Sequence, residues 1–163
     1  MPAEWVKIDA ISSHVFQICI SNGGVPKLPL PVAELKSLGL VGDRQRTPEV
    51  HGGPERALCL YSLERILLLQ EEGHCIYPGS IGENLVLAGL DWDQVSPGIR
   101  LGLGADVEIE ITRYTSPCNT IAHVFSDGDY SRISQSHHPG WSRVYARVLK
   151  VGSIRTGDKV YLR

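Results

Sequence analysis

Hydrophobic and polar residues alternate most cleanly between Ala105 and Thr112, where Val107, Ile109 and Ile111 interleave with Glu108, Glu110 and Thr112. A period of two predicts a strand with one face buried and its glutamates in solvent. Shorter apolar runs predict further strands at about Val15 to Ser21, Ala57 to Tyr61, Leu85 to Leu87, Arg143 to Val151 and Lys159 to Leu162. Glycine and proline punctuate them at Asn22-Gly23-Gly24, His51-Gly52-Gly53-Pro54, Pro78-Gly79 and Thr156-Gly157-Asp158. Pro26, Pro29 and Pro31 predict an extended, irregular stretch. One segment changes period. From Leu63 to Glu72 an apolar stripe of Leu63, Ile66, Leu67 and Leu69 predicts a helix, with Ser62 as its cap, Glu64 near its positive end and Gly73 as its stop. A second, shorter helix is expected just after Cys118, burying Ile121, Ala122, Val124 and Phe125. Many short strands with two helices predict one mainly β domain over residues 1–163, with its core at about 15–162. The expected architecture is a closed or nearly closed β-barrel decorated by short helices.

Composition changes this picture little. Hydrophobic content of 42% and charged content of 21% suit a soluble globular domain, and 163 residues can bury a core without staples. A net charge of −2 argues against general affinity for nucleic acid or anionic lipid. Met1-Pro2-Ala3-Glu4-Trp5 lacks the basic and apolar pattern of a leader, and no apolar run is long enough to span a bilayer. A cytoplasmic location is expected. The cysteines at 19, 59, 75 and 118 contain no C-x-x-C pair, so neither disulfides nor a structural zinc site are expected. Cys19 and Cys59 sit in apolar runs and read as strand core. His137 and His138 are adjacent and point apart on a strand, a poor pair for a metal. Gly102-Leu103-Gly104 is a lone G-x-G, and neither a Walker lysine nor a G-x-S-x-G elbow is present.

Cys118 stands apart. It follows the best-patterned strand in Arg113-Tyr114-Thr115-Ser116-Pro117-Cys118, where Pro117 ends the ladder and leaves the thiol on a turn beside a basic side chain. Such a thiol can react or ligate metal. A small buried hydrophobe is the competing interpretation.

Four ordered motifs decide between them. His51-Gly52-Gly53-Pro54-Glu55-Arg56-Ala57, Pro78-Gly79-Ser80-Ile81-Gly82-Glu83-Asn84-Leu85, Arg113 with Cys118 five residues on, and Trp141-Ser142-Arg143-Val144-Tyr145 followed by Gly157-Asp158 occur in that order. Together they resemble the MOSC domain, the family typified by the C-terminal domain of molybdenum cofactor sulfurases. The resemblance runs from about Val15 to Leu162, without a fused aminotransferase-like domain, as in small free-standing members.

The resemblance implies a β-barrel of the pyruvate-kinase barrel-domain type that binds a molybdenum cofactor, a pterin dithiolene with a phosphate tail. It implies that Cys118 ligates molybdenum or carries sulfur. Arg113 and the start of the following helix would favour its thiolate. Cofactor contacts are implied at Lys27, Arg44, His51, Ser62 and Asn84. Lys27 and Arg44 would supply charge to a phosphate, Ser62 a helix start, and Asn84 a donor and an acceptor for the pterin edge. Each also has a plain structural role available: a solvated lysine, a helix cap, a turn asparagine, a turn-bonded histidine. The chain has Gly82 where the eukaryotic reductases of this family carry an arginine, which leaves Arg143 or Arg147 to supply a missing contact.

Two functions follow. One is a molybdenum-dependent reductase of N-hydroxylated bases or related N–O compounds, taking a small-molecule substrate and electrons from an external donor protein. The other is a sulfur carrier or cofactor-delivery module for a molybdoenzyme, with Cys118 as a persulfide. No pyridoxal-phosphate site is expected, and no nucleic-acid or membrane partner.

Overall fold

The computed structural model describes residues 12–45, 49 and 52–163. The Met1–Trp5 segment and His51 lie outside the described residues. Eleven strands form among those described: β1 (His14–Ile20), β2 (Leu28–Leu30), β3 (Val32–Lys36), β4 (Gly39–Leu40), β5 (Leu58–Ser62), β6 (Leu85–Ala88), β7 (Arg100–Leu103), β8 (Val107–Tyr114), β9 (Val144–Lys150), β10 (Gly152–Arg155) and β11 (Val160–Leu162). The fold is mainly β, as the patterning predicts. Val107, Ile109 and Ile111 of β8 are all buried, as their alternation requires.

The larger sheet runs β11-β7-β8-β9-β5-β6-β1-β2, and a smaller one runs β10-β3-β4. Every neighbouring pair is antiparallel except β5 and β6, which are parallel. A parallel pair needs a crossover, and α1 (Leu63–Glu71) lies in that connection. Ser62 caps it: the Ser62 Oγ accepts the Arg65 N–H at 3.2 Å. Gly73 follows the helix with φ +95°, a conformation that favours glycine. The helix packs through Ile66 and Leu69, each fully buried and contributing about 1.5–3 kcal/mol of apolar burial. Among the described residues no helix is long and apolar enough to cross a membrane.

Four expectations need correction. The sheet does not close into a barrel. β11 pairs with β7 over its three residues, while the only bridge to β1 among the described residues is the one between His14 and Lys159. Three backbone bonds hold that seam: Val15 N to Asp158 O at 2.8 Å, Gly157 N to Val15 O at 2.7 Å, and Val160 N to Ser13 O at 2.9 Å. The proline-rich stretch is not irregular, since Leu28–Leu30 and Val32–Lys36 are strands. Pro29 is tolerated because β2 is an edge strand, where a missing donor costs no ladder bond. Leu67 is exposed, which leaves the α1 stripe narrower than expected. The second helix is a 3₁₀ segment, Asn119–Val124, that buries Ile121 and Val124 and is followed by the buried Phe125.

Candidate functional site

Cys59 of β5 pairs with Tyr145 of β9, and directly paired residues share a sheet face. Their neighbours Leu58, Leu60, Val144 and Ala146 face the hydrophobic core. By the period of two, Cys59 and Tyr145 point the other way, and Arg143 joins them two residues along. Cys59 is buried on its strand, as the sequence predicts, and its side chain also borders a cavity. Cys19 of β1 is likewise buried, its Sγ 3.1 Å from the Gln17 amide nitrogen that donates to it. All four cysteines are free.

This face carries a cavity of about 130 Å³, whose lining includes Lys27, Arg56, Cys59, Asn84, Cys118, Arg143 and Tyr145. Cys118 enters it from the chain after β8. Its backbone is extended (φ −136°, ψ 173°), its carbonyl accepts the Ile121 N–H at 3.2 Å, and the residue is exposed. Burial pushes the Cys59 thiol up to about 11, against the pull of Arg143. Burial also pushes the Tyr145 phenol up to about 12. Cys59 and Tyr145 thus keep their protons at neutral pH.

A buried polar network supports the Lys27 and Asn84 side of the cavity. Lys27 Nζ lies 2.7 Å from Asp43 Oδ1. The same carboxylate accepts the Ser21 N–H at 3.0 Å and the Asn84 amide at 2.9 Å. Asn84 also accepts the Cys59 N–H at 3.0 Å and donates to the Cys19 carbonyl at 3.3 Å, so its side chain ties β1, β5 and the Asp43 turn together. Beside it Glu83 is fully buried, and its carboxylate accepts the N–H groups of Gly79 and Ile81. Burial raises the Glu83 carboxyl from 4.5 to about 7. Gly79 has φ +91°, and a Cβ there would run into the Lys27 carbonyl oxygen. Only glycine lets these two segments meet as closely as they do.

The residues singled out from sequence divide into groups. Lys27, Asn84 and Cys118 share the cavity. Arg44 lines a neighbouring open cleft of about 560 Å³ with Asn22 and His123. Gly24, Val25 and Thr120 line both hollows. Ser62 lines neither and spends its hydroxyl on the α1 cap and on Glu64. Arg113 is exposed on β8 and lines neither. His51 lies outside the described residues. Of the two arginines offered in place of Gly82, Arg143 lines the cavity and donates to the Ile81 carbonyl. Arg147 is turned to Glu110 and Glu55 on the surface. Arg56 and Tyr145 were not singled out as site residues. Arg56 was legible as the cation that follows the Gly52-Gly53-Pro54 turn, whereas Tyr145 needed the strand register.

A thiol-ligated metal with an anionic tail fits this lining. No Asp or Glu stands on the cavity wall among the described residues, and three cations do. The Arg143 Nε is buried without a hydrogen-bond partner. Pockets for cofactor-sized ligands run to about 300–1,000 Å³, so the cavity suffices only together with the cleft beside it.

Comparison with known proteins agrees with the motifs. The MOSC domain model matches residues 47–161. Protein YiiM of Escherichia coli is 34% identical over 106 residues, which cover 63% of this chain and 47% of YiiM. A protein named reductase from Gibberella moniliformis is 31% identical over 129 residues, covering 76% of this chain and 22% of that protein. The chain thus spans about half the length of the first relative and about a fifth of the second. The crystal structure of YiiM from Geobacillus stearothermophilus superposes with a TM-score of 0.74 at 24% identity, over 93% of this chain and 75% of that one. That likeness establishes the fold.

Proposed function

Because the chain belongs to the MOSC domain family, we propose that it binds a molybdenum cofactor around Cys118 and reduces N-hydroxylated bases or related N–O compounds. The observation that carries this reading is the exposed residue Cys118 on a cavity lined by Lys27, Arg56 and Arg143 and by no carboxylate among the described residues. The similarity to a protein named reductase supports the reaction class. When bound, the cofactor would supply a metal centre able to exchange electrons with an N–O bond.

The chain's own residues hold and orient. Cys118 would ligate the metal as a thiolate, a soft donor that must lose its proton to bind. Pro117 fixes its approach. Arg44 in the cleft, with Arg56 and Arg143 in the cavity, would hold anionic groups. The Asp43–Lys27–Asn84 network braces the Lys27 and Asn84 side of the cavity. Tyr145, its phenol raised to about 12, presents a protonated group on the same wall. Reduction of an N-hydroxyl group consumes two electrons and two protons and releases water. A separate donor protein supplies the electrons, and the open cleft admits substrate and solvent. Free thiols fit a cytoplasmic setting.

The exposure of Cys118 favours one second reading, a sulfur carrier or cofactor-delivery module for a molybdoenzyme, because a persulfide must be reachable by its acceptor. That reading assigns the chain no pyridoxal-phosphate site. Turnover separates the two. Protein made in a cofactor-competent host, given a chemically reduced electron donor, should convert an amidoxime to the amidine, and Cys118→Ser should abolish this. No turnover by the cofactor-loaded wild type would refute the reductase, and equal turnover by wild type and variant would refute Cys118 as its metal ligand.

A further inference from the structure

Two of the four free thiols border one hollow. Cys59 and Cys118 both line the cavity of about 130 Å³, whereas Cys19 and Cys75 do not. Cys59 is fixed in place on β5, where its N–H donates to the Asn84 side chain at 3.0 Å and Tyr145 of β9 stands opposite it. Burial pushes its thiol up to about 11, so it keeps its proton. Cys118 belongs instead to a short connection between two anchors. Thr115 before it is buried and donates its N–H to the Arg143 carbonyl at 3.0 Å, and Ile121 after it is buried as well. Between them Ser116, Cys118, Asn119 and Thr120 are exposed. The Tyr145 phenol places the two sulfurs near one ring: burial raises it most, and the charges of Cys59 and, more weakly, of Cys118 add to that. An oxidant arriving from solvent therefore meets Cys118 first, with a second, protonated thiol held on the wall behind it.

We propose that Cys59 is the resolving thiol of Cys118: a hydroperoxide oxidises Cys118 to a sulfenic acid, and Cys59 condenses with it to form a disulfide across the cavity. In the first step the Cys118 thiolate attacks the peroxide. An S–O bond forms, the O–O bond breaks, and the alkoxide takes a proton from solvent and leaves as an alcohol. In the second step the Cys59 sulfur attacks the Cys118 sulfur. The S–S bond forms, the S–O bond breaks, and the hydroxyl leaves as water with the Cys59 proton. The two thiols lose two electrons in all, and the peroxide gains them. A disulfide needs Cα atoms about 4.4–6.8 Å apart, and the exposed 116–120 connection supplies the movement, because β5 is held in the sheet. The product has no thiolate at Cys118, so it neither ligates metal nor carries sulfur, and a dithiol reductant restores it. The inference goes beyond the function proposed above and needs no cofactor. Its test uses cofactor-free protein, so either proposal can fail alone.

The test treats cofactor-free protein with hydrogen peroxide, alkylates the remaining thiols and maps the peptides without reduction. A linked Cys59–Cys118 peptide pair should appear and should be lost on adding dithiothreitol. The exposed Cys75, which lines neither hollow, should still alkylate and serves as the internal control. Dimedone, which traps sulfenic acids, should label Cys118 weakly in the wild type, because Cys59 consumes the intermediate. Cys59→Ser should raise that labelling several-fold and let Cys118 proceed to a sulfinic acid that dithiothreitol does not reverse. Should Cys59→Ser fail to fold, Cys59→Ala, which puts no hydroxyl into the buried position, gives the same comparison. Equal dimedone labelling of Cys118 in the wild type and the Cys59 variants would overturn the proposal. So would a disulfide that joins Cys118 to a second chain as the main product, or a Cys118 that peroxide leaves reduced.

Discussion

Lys27 Nζ sits 2.7 Å from Asp43 Oδ1, with the two side chains 7% and 4% exposed. The lysine therefore comes to the cavity already paired with a carboxylate. Ser21 and Asn84 use the same carboxylate, so the pair organises the loop after β1 against the Gly82–Glu83–Asn84 turn.

Breaking that pair from one side should be expensive. Asp43→Asn leaves a buried cation without its counter-charge and should cost about 3–5 kcal/mol of stability, measured by urea denaturation. Lys27→Met combined with Asp43→Asn should recover a large part of the loss, because no unpaired charge remains. Additive losses in the double variant would show that the two side chains act independently. Charge reversal at Lys27 would set two carboxylates together, so the double variant is the fair test of whether the lysine matters for cofactor retention.

Glu83 makes stability depend on pH in a stated direction. Its carboxyl titrates near 4.5 when unfolded and near 7 when folded, so between these values the folded chain holds a proton that the unfolded chain has lost. Its contribution is fully present below about pH 4.5 and is lost as pH rises towards 7. The slope is at most about 1.4 kcal/mol per pH unit. Denaturation of wild type and Glu83→Gln at several pH values should show the wild type losing stability over this window relative to the variant. Parallel curves would mean that Glu83 is ionised throughout and held by its backbone N–H partners.

Part of this site was legible in the sequence because it is written locally. The alternation of β8, the stop at Pro117 and the exposed Cys118 need only neighbours in the chain, as does the Ser62 cap. What was not legible depends on register between distant strands. Cys59 reads as core because all five residues of β5 are buried, so no alternation reveals that one face looks into a cavity. Arg143 becomes a site residue only once β9 lies against β5 with Tyr145 opposite Cys59. The Lys27–Asp43 pair joins residues separated by three strands. The open seam between β1 and β11 follows from the shortness of β11, which no periodicity announces.

Ser62 and Cys118 should separate stability from binding. Ser62→Ala removes the α1 cap and should cost about 1 kcal/mol. Pterin content should stay unchanged, because Ser62 lines neither hollow. Fluorescence of the oxidised pterin, set beside a denaturation curve, reads both. A fall in pterin content at unchanged stability would place the cofactor against the helix start instead of the Cys118 cavity.

The most direct measurement is the molybdenum and sulfur inventory of the untreated protein, purified from a cofactor-competent host. Elemental analysis and intact-mass spectrometry of one preparation supply it. Wild-type protein is expected to carry molybdenum and pterin in equal amounts, with Cys118 resistant to alkylation until the cofactor is stripped. Cys118→Ser should fold and lose the metal's soft donor, and with it retention of the metal or its turnover. One added sulfur atom at Cys118 in every chain, with no molybdenum present, would contradict ligation and establish the carrier.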